Sequence, residues 1–298
     1  MNVVQYGLCI TLAFVLHAGV APCTARAEEG PGVAWRSHWP KMHLIEYAVT
    51  GALTVGALTI AFTAEPRSSG AQGGLLYDHG TREVLRAESR AGRDRARTVG
   101  DVGYWAMMLY PFLDALVTPW IVHGSPEVAW QMFAMNVEAF SVAGLISIVT
   151  TRFIGRARPS QRECTRDSDY ERFCESKDEF SSFVSGHAAI AAASAGLTCA
   201  HHLNQPLYGG GAFDILACGA TTALALTTGI ARIMNDRHWA TDVTAGWLIG
   251  GLAGYGLPAL LHYQRAPDER GSAGNFLQLR LLPLVAPATF GGTLIGRY

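Results

Sequence analysis

The chain has 298 residues, of which 49% are hydrophobic and 16% are charged, and its formal net charge at pH 7 is −1. Soluble domains carry about 25% charged residues, so this composition favours a membrane protein. The near-neutral charge gives no basic surface of the kind that attracts nucleic acid, and a nucleic-acid partner is not expected.

The first residues, 1–27, are typical of a secretory signal peptide. An apolar run precedes small residues and an Ala25-Arg26-Ala27 sequence that resembles a cleavage site, although the early region lacks Lys and Arg. We expect cleavage after Ala27, with an uncleaved anchor as the alternative. Export would place the chain in an oxidising compartment, where Cys164 and Cys174 could form a disulfide or remain free thiols.

Six apolar stretches follow, each near the length that crosses a bilayer. They cover residues 44–64, 102–122, 128–151, 184–203, 213–233 and 241–262. Asp114 and Glu138 lie within them and are expected to face the interior of a bundle. Trp35 and Trp39 precede the first stretch and are interpreted as anchors at the membrane interface. The pattern predicts an all-α fold, a six-helix membrane-type bundle with the site at one end. A soluble helical bundle is the alternative.

The same pattern divides the chain into four regions. After the signal at 1–27, residues 28–100 contain the first apolar helix and an Arg-rich polar segment, and residues 101–263 form the helical core. The polar segment interleaves acids and bases, which is typical of a solvated surface helix rather than a binding site. Residues 264–298 form a short irregular tail, in which two apolar runs could pair as a β-hairpin.

Three polar clusters lie at the ends of the last four apolar stretches, at residues 151–159, 182–187 and 231–242. If the helices alternate in direction, all three clusters lie on the same side of the bundle. This expected convergence is the basis of the functional interpretation.

Four residues of these clusters are suited to holding phosphate. Arg158 and Arg232 offer planar charged groups that match phosphate oxygens. Ser185 and Gly186 open a predicted helix, whose free N–H groups and dipole attract anions. Gly186 also has no side chain to block a close approach.

Two histidines provide acid–base and nucleophilic chemistry. The pKa values of His187 and His238 can move across neutral pH. Asp242 lies four residues after His238, on the same helix face if the helix begins there. Such an Asp–His pair fixes the imidazole tautomer and strengthens the free ring nitrogen as a nucleophile. No Cys or His spacing typical of a metal site is evident, so neither a metal nor a cofactor is expected.

These residues resemble the motifs of the type-2 phosphatidic acid phosphatase superfamily, whose fold is shared with bacterial non-specific acid phosphatases and vanadium haloperoxidases. The family motifs are Lys-x6-Arg-Pro, Pro-Ser-Gly-His and Ser-Arg-x5-His-x3-Asp. The resemblance spans about residues 100–262 and holds in order and spacing. The matching residues are Arg158, Pro159, Ser185, Gly186, His187, Arg232, His238 and Asp242.

The chain departs from the family motifs at three positions. Thr151 stands in the place of the Lys, Val184 replaces the Pro, and Ala231 replaces the Ser. The first departure removes a cation from the phosphate site. We hypothesise that Arg152 replaces it, which requires the helix to end or kink here because adjacent helical residues point about 100° apart.

The resemblance implies a metal-independent phosphatase that acts through a phosphohistidine intermediate. His238 would attack phosphorus, Asp242 would orient it, and His187 would protonate the leaving oxygen and later activate water. The groups implied to hold the transition-state charge are Arg158, Arg232, Ser185 and Gly186.

A site within a bilayer would admit amphiphiles laterally, which favours a lipid phosphate or diphosphate as substrate. The alternatives are a soluble periplasmic acid phosphatase, a vanadium haloperoxidase and a binder of phospholipid headgroups without turnover. We expect a bacterial-type inner membrane with the site facing the periplasm. Two features favour the cytoplasmic side instead. Six membrane crossings after signal cleavage would place the three clusters there, and the positive-inside rule applied to the Arg-rich segment favours the same arrangement.

Several polar residues are interpreted as structural. We expect solvated or headgroup-facing charges at Arg156, Arg162, Arg166 and Arg237. His201 and His202 are interpreted as polar residues at a helix end.

Overall fold

The computed structural model describes residues 32–264, 278–286 and 289–297. The predicted signal, residues 1–27, lies outside the described residues. The helices, in chain order, are α1 (Leu44–Thr63), α2 (Asp78–Leu85), α3 (Arg90–Ala115), α4 (Pro126–Phe153), α5 (Gln161–Arg166), α6 (Gly186–Asn204), α7 (Ala212–Met234), α8 (Ala240–Gly251) and α9 (Leu257–Leu261). A π-helical segment, Leu116–Val122, continues α3, and a second, Leu252–Gly256, joins α8 to α9.

The predicted all-α class is confirmed, but the predicted number of membrane-length helices is not. Among the described residues, five helical segments are long and apolar enough to cross a membrane. They are Leu44–Thr63, Arg90–Val122, Pro126–Phe153, Ala212–Met234 and Ala240–Leu261. The predicted stretch 184–203 does form a helix, α6, but it does not belong to this set.

Helix α6 is the central helix of the bundle, since it packs against α3, α4, α7 and α8. Its sequence is rich in Ala, so neighbouring backbones come close. A Cβ added at Gly250 of α8 would lie 2.0 Å from the carbonyl oxygen of Ala189, and one added at Gly254 would lie 2.0 Å from that of Ala193. Small residues therefore allow the backbone contact between α6 and the α8 region, as in membrane helix packing.

The segment before α3 packs onto the helical core, contrary to the prediction of a solvated helix. Asp78 of α2 is fully buried, and its carboxylate accepts a hydrogen bond from Nη2 of Arg156 at 2.7 Å. Arg82 donates two hydrogen bonds of 2.7 Å to the carboxylate of Asp236. Asp78 and Arg82 of this segment are thus paired with core residues, which the local sequence could not reveal.

The residues before α1 also pack inward. Trp39 is only 4% exposed, and its ring meets Tyr263 edge-to-face at a centroid distance of 4.9 Å. Trp35 donates a hydrogen bond from Nε1 to the carbonyl oxygen of Trp39. The prediction that both tryptophans are interfacial anchors is therefore wrong for Trp39, which belongs to the hydrophobic core.

At the opposite end of α6 from Gly186, histidine side chains are buried rather than at a polar surface. His202 lies between two carboxylates, with Nδ1 2.6 Å from Asp214 and Nε2 3.2 Å from Asp114. His201 contacts Asn136 through Nε2 at 3.0 Å. These contacts tie α6 to α3, α4 and α7, because each partner belongs to a different helix.

The described residues contain two disulfides. Cys164–Cys174 closes the loop after α5, as the sequence allowed. Cys199–Cys218 joins α6 to α7 and was not predicted.

In the C-terminal tail, β1 (Gln278–Ala286) and β2 (Thr289–Arg297) pair antiparallel, with Gln278 opposite Arg297. This is the hairpin that the two apolar runs could form, so the tail contains regular structure. The division of the chain into four regions remains a prediction.

Candidate active site

A cleft of about 310 Å³ opens at the end of the bundle where α4 and α7 end and α6 begins. It brings together six of the predicted site residues, which come from all three polar clusters. These are Arg152, Arg158, Gly186, His187, Arg232 and His238. The two other predicted residues, Ser185 and Asp242, are fully buried behind the cleft wall.

His238 lies between α7 and α8 and is held by a backbone carbonyl. Its Nδ1 is 2.7 Å from the carbonyl oxygen of Ser182. Because a carbonyl oxygen can only accept, Nδ1 must carry the proton, and Nε2 keeps its lone pair. Burial and the positive charges of Arg158 and Arg232 hold the pKa of His238 well below its usual range. The imidazole is therefore neutral, the form that can act as a nucleophile.

The expected direct Asp242–His238 contact is not what the structure shows. Oδ2 of Asp242 is 4.0 Å from Nδ1 of His238. It accepts shorter hydrogen bonds from Ser182 Oγ at 2.6 Å and from the N–H of Trp239 at 2.9 Å. The reason is the position of the helix start: α8 begins at Ala240 with Trp239 as its cap, so His238 precedes the helix and helical spacing does not apply. Asp242 reaches His238 through Ser182.

Arg156 fixes the other oxygen of Asp242. Its guanidinium pairs with Asp242 through Nη1 and with Asp78 through Nη2 at 2.7 Å. Arg156 is 5% exposed, so the prediction of a solvated charge is wrong at this position. Two carboxylates compensate the buried guanidinium, and removing either one would leave an incompletely paired buried charge.

Arg158 is positioned at the cleft by groups that use only part of its donor capacity. It donates from Nε to the carbonyl oxygen of Asp178 at 2.8 Å, from Nη1 to the carbonyl oxygen of Arg237 at 2.8 Å and from Nη2 to the Asp178 carboxylate at 3.0 Å. Its Nη1 also lies 3.4 Å from Nε2 of His238. A guanidinium has five N–H groups, so Arg158 can hold this geometry and still donate to an anion beside His238.

A second arginine, Arg237, also lines the cleft and supports this arrangement. It pairs with Asp178 at 2.7 Å and with Glu171 at 3.0 Å, and it is 6% exposed. Burial raises the pKa of Asp178, but the charges of Arg158 and Arg237 lower it overall to about 2. Arg237 was predicted to be solvated, and this prediction is also wrong.

Arg152 lies in the last turn of α4, next to Thr151, and its replacement of the lost Lys stays a prediction. Helix α4 ends at Phe153, and Gly155 follows with φ +72°, a left-handed conformation that favours glycine. Thr151 and Arg152 both line the cleft. Thr151 bonds the carbonyl oxygen of Ser147 at 2.8 Å, as expected for a helical threonine.

The start of α6 forms the cleft wall next to His187. Ser185 is the N-cap, and its Oγ accepts from the N–H of Ala188 at 3.4 Å, while its own N–H donates to the carbonyl oxygen of Asp242. That N–H group is therefore not free for an anion, contrary to expectation. A Cβ on Gly186 would meet only Ser147 Cβ, at 3.9 Å, so protein packing does not require a glycine there. The unblocked N–H groups of the first turn remain suited to an anion.

Sequence reasoning missed Asp101, which belongs to α3. Its Oδ1 lies 3.0 Å from Nε2 of His187 and 3.2 Å from Nη1 of Arg232. Tyr104, one turn further along α3, packs on the His187 ring at a centroid distance of 4.6 Å. No local pattern marks Asp101, because its partners are 86 and 131 positions away in the chain.

Residues 133–266 match the PAP2 superfamily. The match covers a little under half of the chain. The PAP2 region runs from within α4 to the end of the described core and contains all three polar clusters, so the resemblance on which the motifs were assigned is confirmed. Asp78 and Asp101 lie outside it. No curated protein and no solved structure matches the chain.

Proposed function

We propose that the protein is a membrane phosphatase that hydrolyses a lipid phosphate or diphosphate through a phosphohistidine on His238. PAP2 superfamily members are phosphatases, which supports hydrolysis of a phosphate ester. The observation that carries the proposal is the meeting of His187, His238 and the guanidinium groups of Arg152, Arg158 and Arg232 in one cleft.

In the first step the Nε2 lone pair of His238 attacks phosphorus. The N–P bond forms while the bond from phosphorus to the leaving oxygen breaks. His187 enters this step as the imidazolium, gives that oxygen a proton to complete the alcohol and becomes neutral. Arg158, Arg232 and the N-terminus of α6 stabilise the charge on the phosphoryl oxygens.

In the second step water attacks the phosphohistidine from the side that the alcohol has left. The water gives a proton to His187, the N–P bond breaks, and inorganic phosphate leaves with the attacking oxygen. Both histidines return to their starting protonation states. Asp242 and Ser182 hold the His238 tautomer throughout, since the Ser182 carbonyl keeps the proton on Nδ1.

The surroundings of the cleft support a lipid as substrate. Apolar side chains near the cleft are exposed on the helix surfaces. Phe153, next to the cleft residue Arg152, is 54% exposed, and Val102 and Trp105 on α3 are 64% and 56% exposed. Together with five helices of membrane length, these side chains suit contact with acyl chains. A headgroup in the cleft would then leave its tail in the bilayer.

We also propose that the cleft faces an oxidising compartment outside the cytoplasm. The Cys164–Cys174 disulfide lies in the loop that carries Glu171, a partner of Arg237 at the cleft. Structural disulfides persist in oxidising compartments and are rare in the cytosol.

Phosphate release from a series of lipid phosphates by the purified full chain in detergent tests the function. We expect turnover with and without chelator, and its loss in His238→Ala but not in His38→Ala, which changes an exposed histidine far from the cleft. Acid-quenched enzyme should carry covalent phosphate in the wild type and none in His238→Ala.

Binding of the lipid phosphate without any release would instead make the protein a headgroup binder. Preferential turnover of water-soluble phosphate esters, with extraction of the protein in the absence of detergent, would indicate a soluble acid phosphatase.

A further inference from the structure

Asp101 places one oxygen atom between two groups that the reaction requires. Its Oδ1 is 3.0 Å from Nε2 of His187 and 3.2 Å from Nη1 of Arg232. A carboxylate can only accept, so Nε2 of His187 carries a proton directed at this oxygen. The position is set from α3, where a Cβ on Gly100 would lie 3.1 Å from Cδ of Arg232. The helix thus lies directly against the arginine.

The leaving-group oxygen has the same chemical needs as this carboxylate oxygen. It must receive the proton of His187, and its developing negative charge is stabilised by a nearby guanidinium. We propose that Asp101 occupies the position of the leaving-group oxygen before substrate binds, and that the substrate displaces it. This inference rests on the proposed function and adds a residue that competes with the ligand for the site.

The Asp101 carboxylate contacts two cleft residues but is held less firmly than Asp178, which lines the cleft. The Asp101 side chain is 47% exposed, and within the described part of the chain no hydrogen bond reaches its Oδ2. Asp178 differs, because Arg158, Arg237 and Ser176 all hold its side chain. Rotation of Asp101 away from His187 would break two part-buried contacts, one of them to the buried guanidinium of Arg232, and a bound anion would take over that contact.

Competition by Asp101 has a consequence for the product. Inorganic phosphate, formed by water attacking from the side of the departed alcohol, places its fourth oxygen at the same position. The Asp101 carboxylate competes for this position and repels the anion, so phosphate is bound weakly and released readily. A lipid substrate overcomes the competition because its tail adds binding energy that free phosphate lacks.

The test compares Asp101→Asn with Asp94→Asn. Both variants remove one negative charge from α3, but Asp94 is exposed and forms neither of the contacts of Asp101. We expect Asp101→Asn to bind inorganic phosphate about three- to tenfold more tightly than the wild type, because a nearby like charge has been removed. The affinity is measured as the inhibition constant of phosphate as a product inhibitor and as the dissociation constant by titration calorimetry. Asp94→Asn should leave phosphate affinity unchanged.

Unchanged or weaker phosphate binding in a folded Asp101→Asn would overturn the inference. If this variant unfolds, Asp101→Ser provides the same measurement with the same expectation. Calorimetry keeps this question separate from the proposed function. Wild-type protein that binds phosphate but turns over no phosphate ester would contradict the proposed function, whereas the Asp101 comparison would still be decided by the binding constants.

Discussion

The carbonyl oxygen of Ser182 lies 2.7 Å from Nδ1 of His238, closer than the carboxylate of Asp242 at 4.0 Å. The Ser182 hydroxyl donates to that carboxylate at 2.6 Å, so one residue contacts the histidine through its backbone and the aspartate through its side chain. Asp242 therefore acts on His238 by fixing Ser182. This arrangement makes Ser182 a positioning residue that the motif comparison alone would not identify.

The Ser182–Asp242 contact predicts a non-additive loss of activity. We expect kcat to fall about 100-fold in Asp242→Asn and about tenfold in Ser182→Ala, with little change in KM, because small displacements of a nucleophile are costly. The double variant should be no slower than Asp242→Asn, since the two residues act as a unit. Steady-state kinetics on all three variants provides the measurement. Multiplicative losses would show that the two residues act independently.

Arg152 should contribute to phosphate binding in place of the family's lysine. Arg152→Ala is expected to lower kcat/KM by about ten- to 100-fold, because one charge-assisted contact to the phosphoryl group is lost. Arg162→Ala is the matched control, since Arg162 is exposed and does not line this cleft. Equal effects of the two substitutions would show that Arg152 supplies only general surface charge.

The buried Asp78–Arg156–Asp242 group should be important for stability. Asp78→Ala leaves the Arg156 guanidinium with one carboxylate instead of two, and we expect about 3 kcal/mol of destabilisation because a buried charge loses a partner. Thermal unfolding in detergent would report a lower Tm, with Asp94→Ala as the exposed control. An unchanged Tm in Asp78→Ala would show that water compensates the arginine equally well.

The pKa of His238 predicts activity at mildly acidic pH. His238 must be neutral to act as a nucleophile, and the neutral imidazole is lost as pH falls through its pKa. Because that pKa lies well below 6.5, we expect activity to be lost only at a correspondingly lower pH. Arg158→Met removes a nearby positive charge that lowers the pKa, so the acidic limb of kcat/KM should move to higher pH.

Wild type and Arg158→Met are compared on one substrate, so that ionisation of the substrate affects both profiles alike. A limb that stays in place, or moves to lower pH, would contradict the assignment of that limb to His238.

Much of the core was predictable because local pattern determines it. Apolar stretches gave the long helices, and the clusters at their ends placed His187, His238, Arg158 and Arg232 on one side before the structure showed them lining one cleft. Alternating helix direction is sufficient for that convergence. The number of membrane-length helices was overestimated, because the Ala-rich α6 packs at the centre of the bundle and is less apolar than its neighbours.

The sequence by itself determined the helical class, the positions of the helix ends and the residue types available for phosphate chemistry. Only the tertiary structure decided which charges are paired and which face the cleft. The partners of Arg156 lie 78 and 86 positions away in the chain, and those of Asp101 lie 86 and 131 away. Burial of a charge depends on a partner that folding brings to it, and no local pattern records that partner.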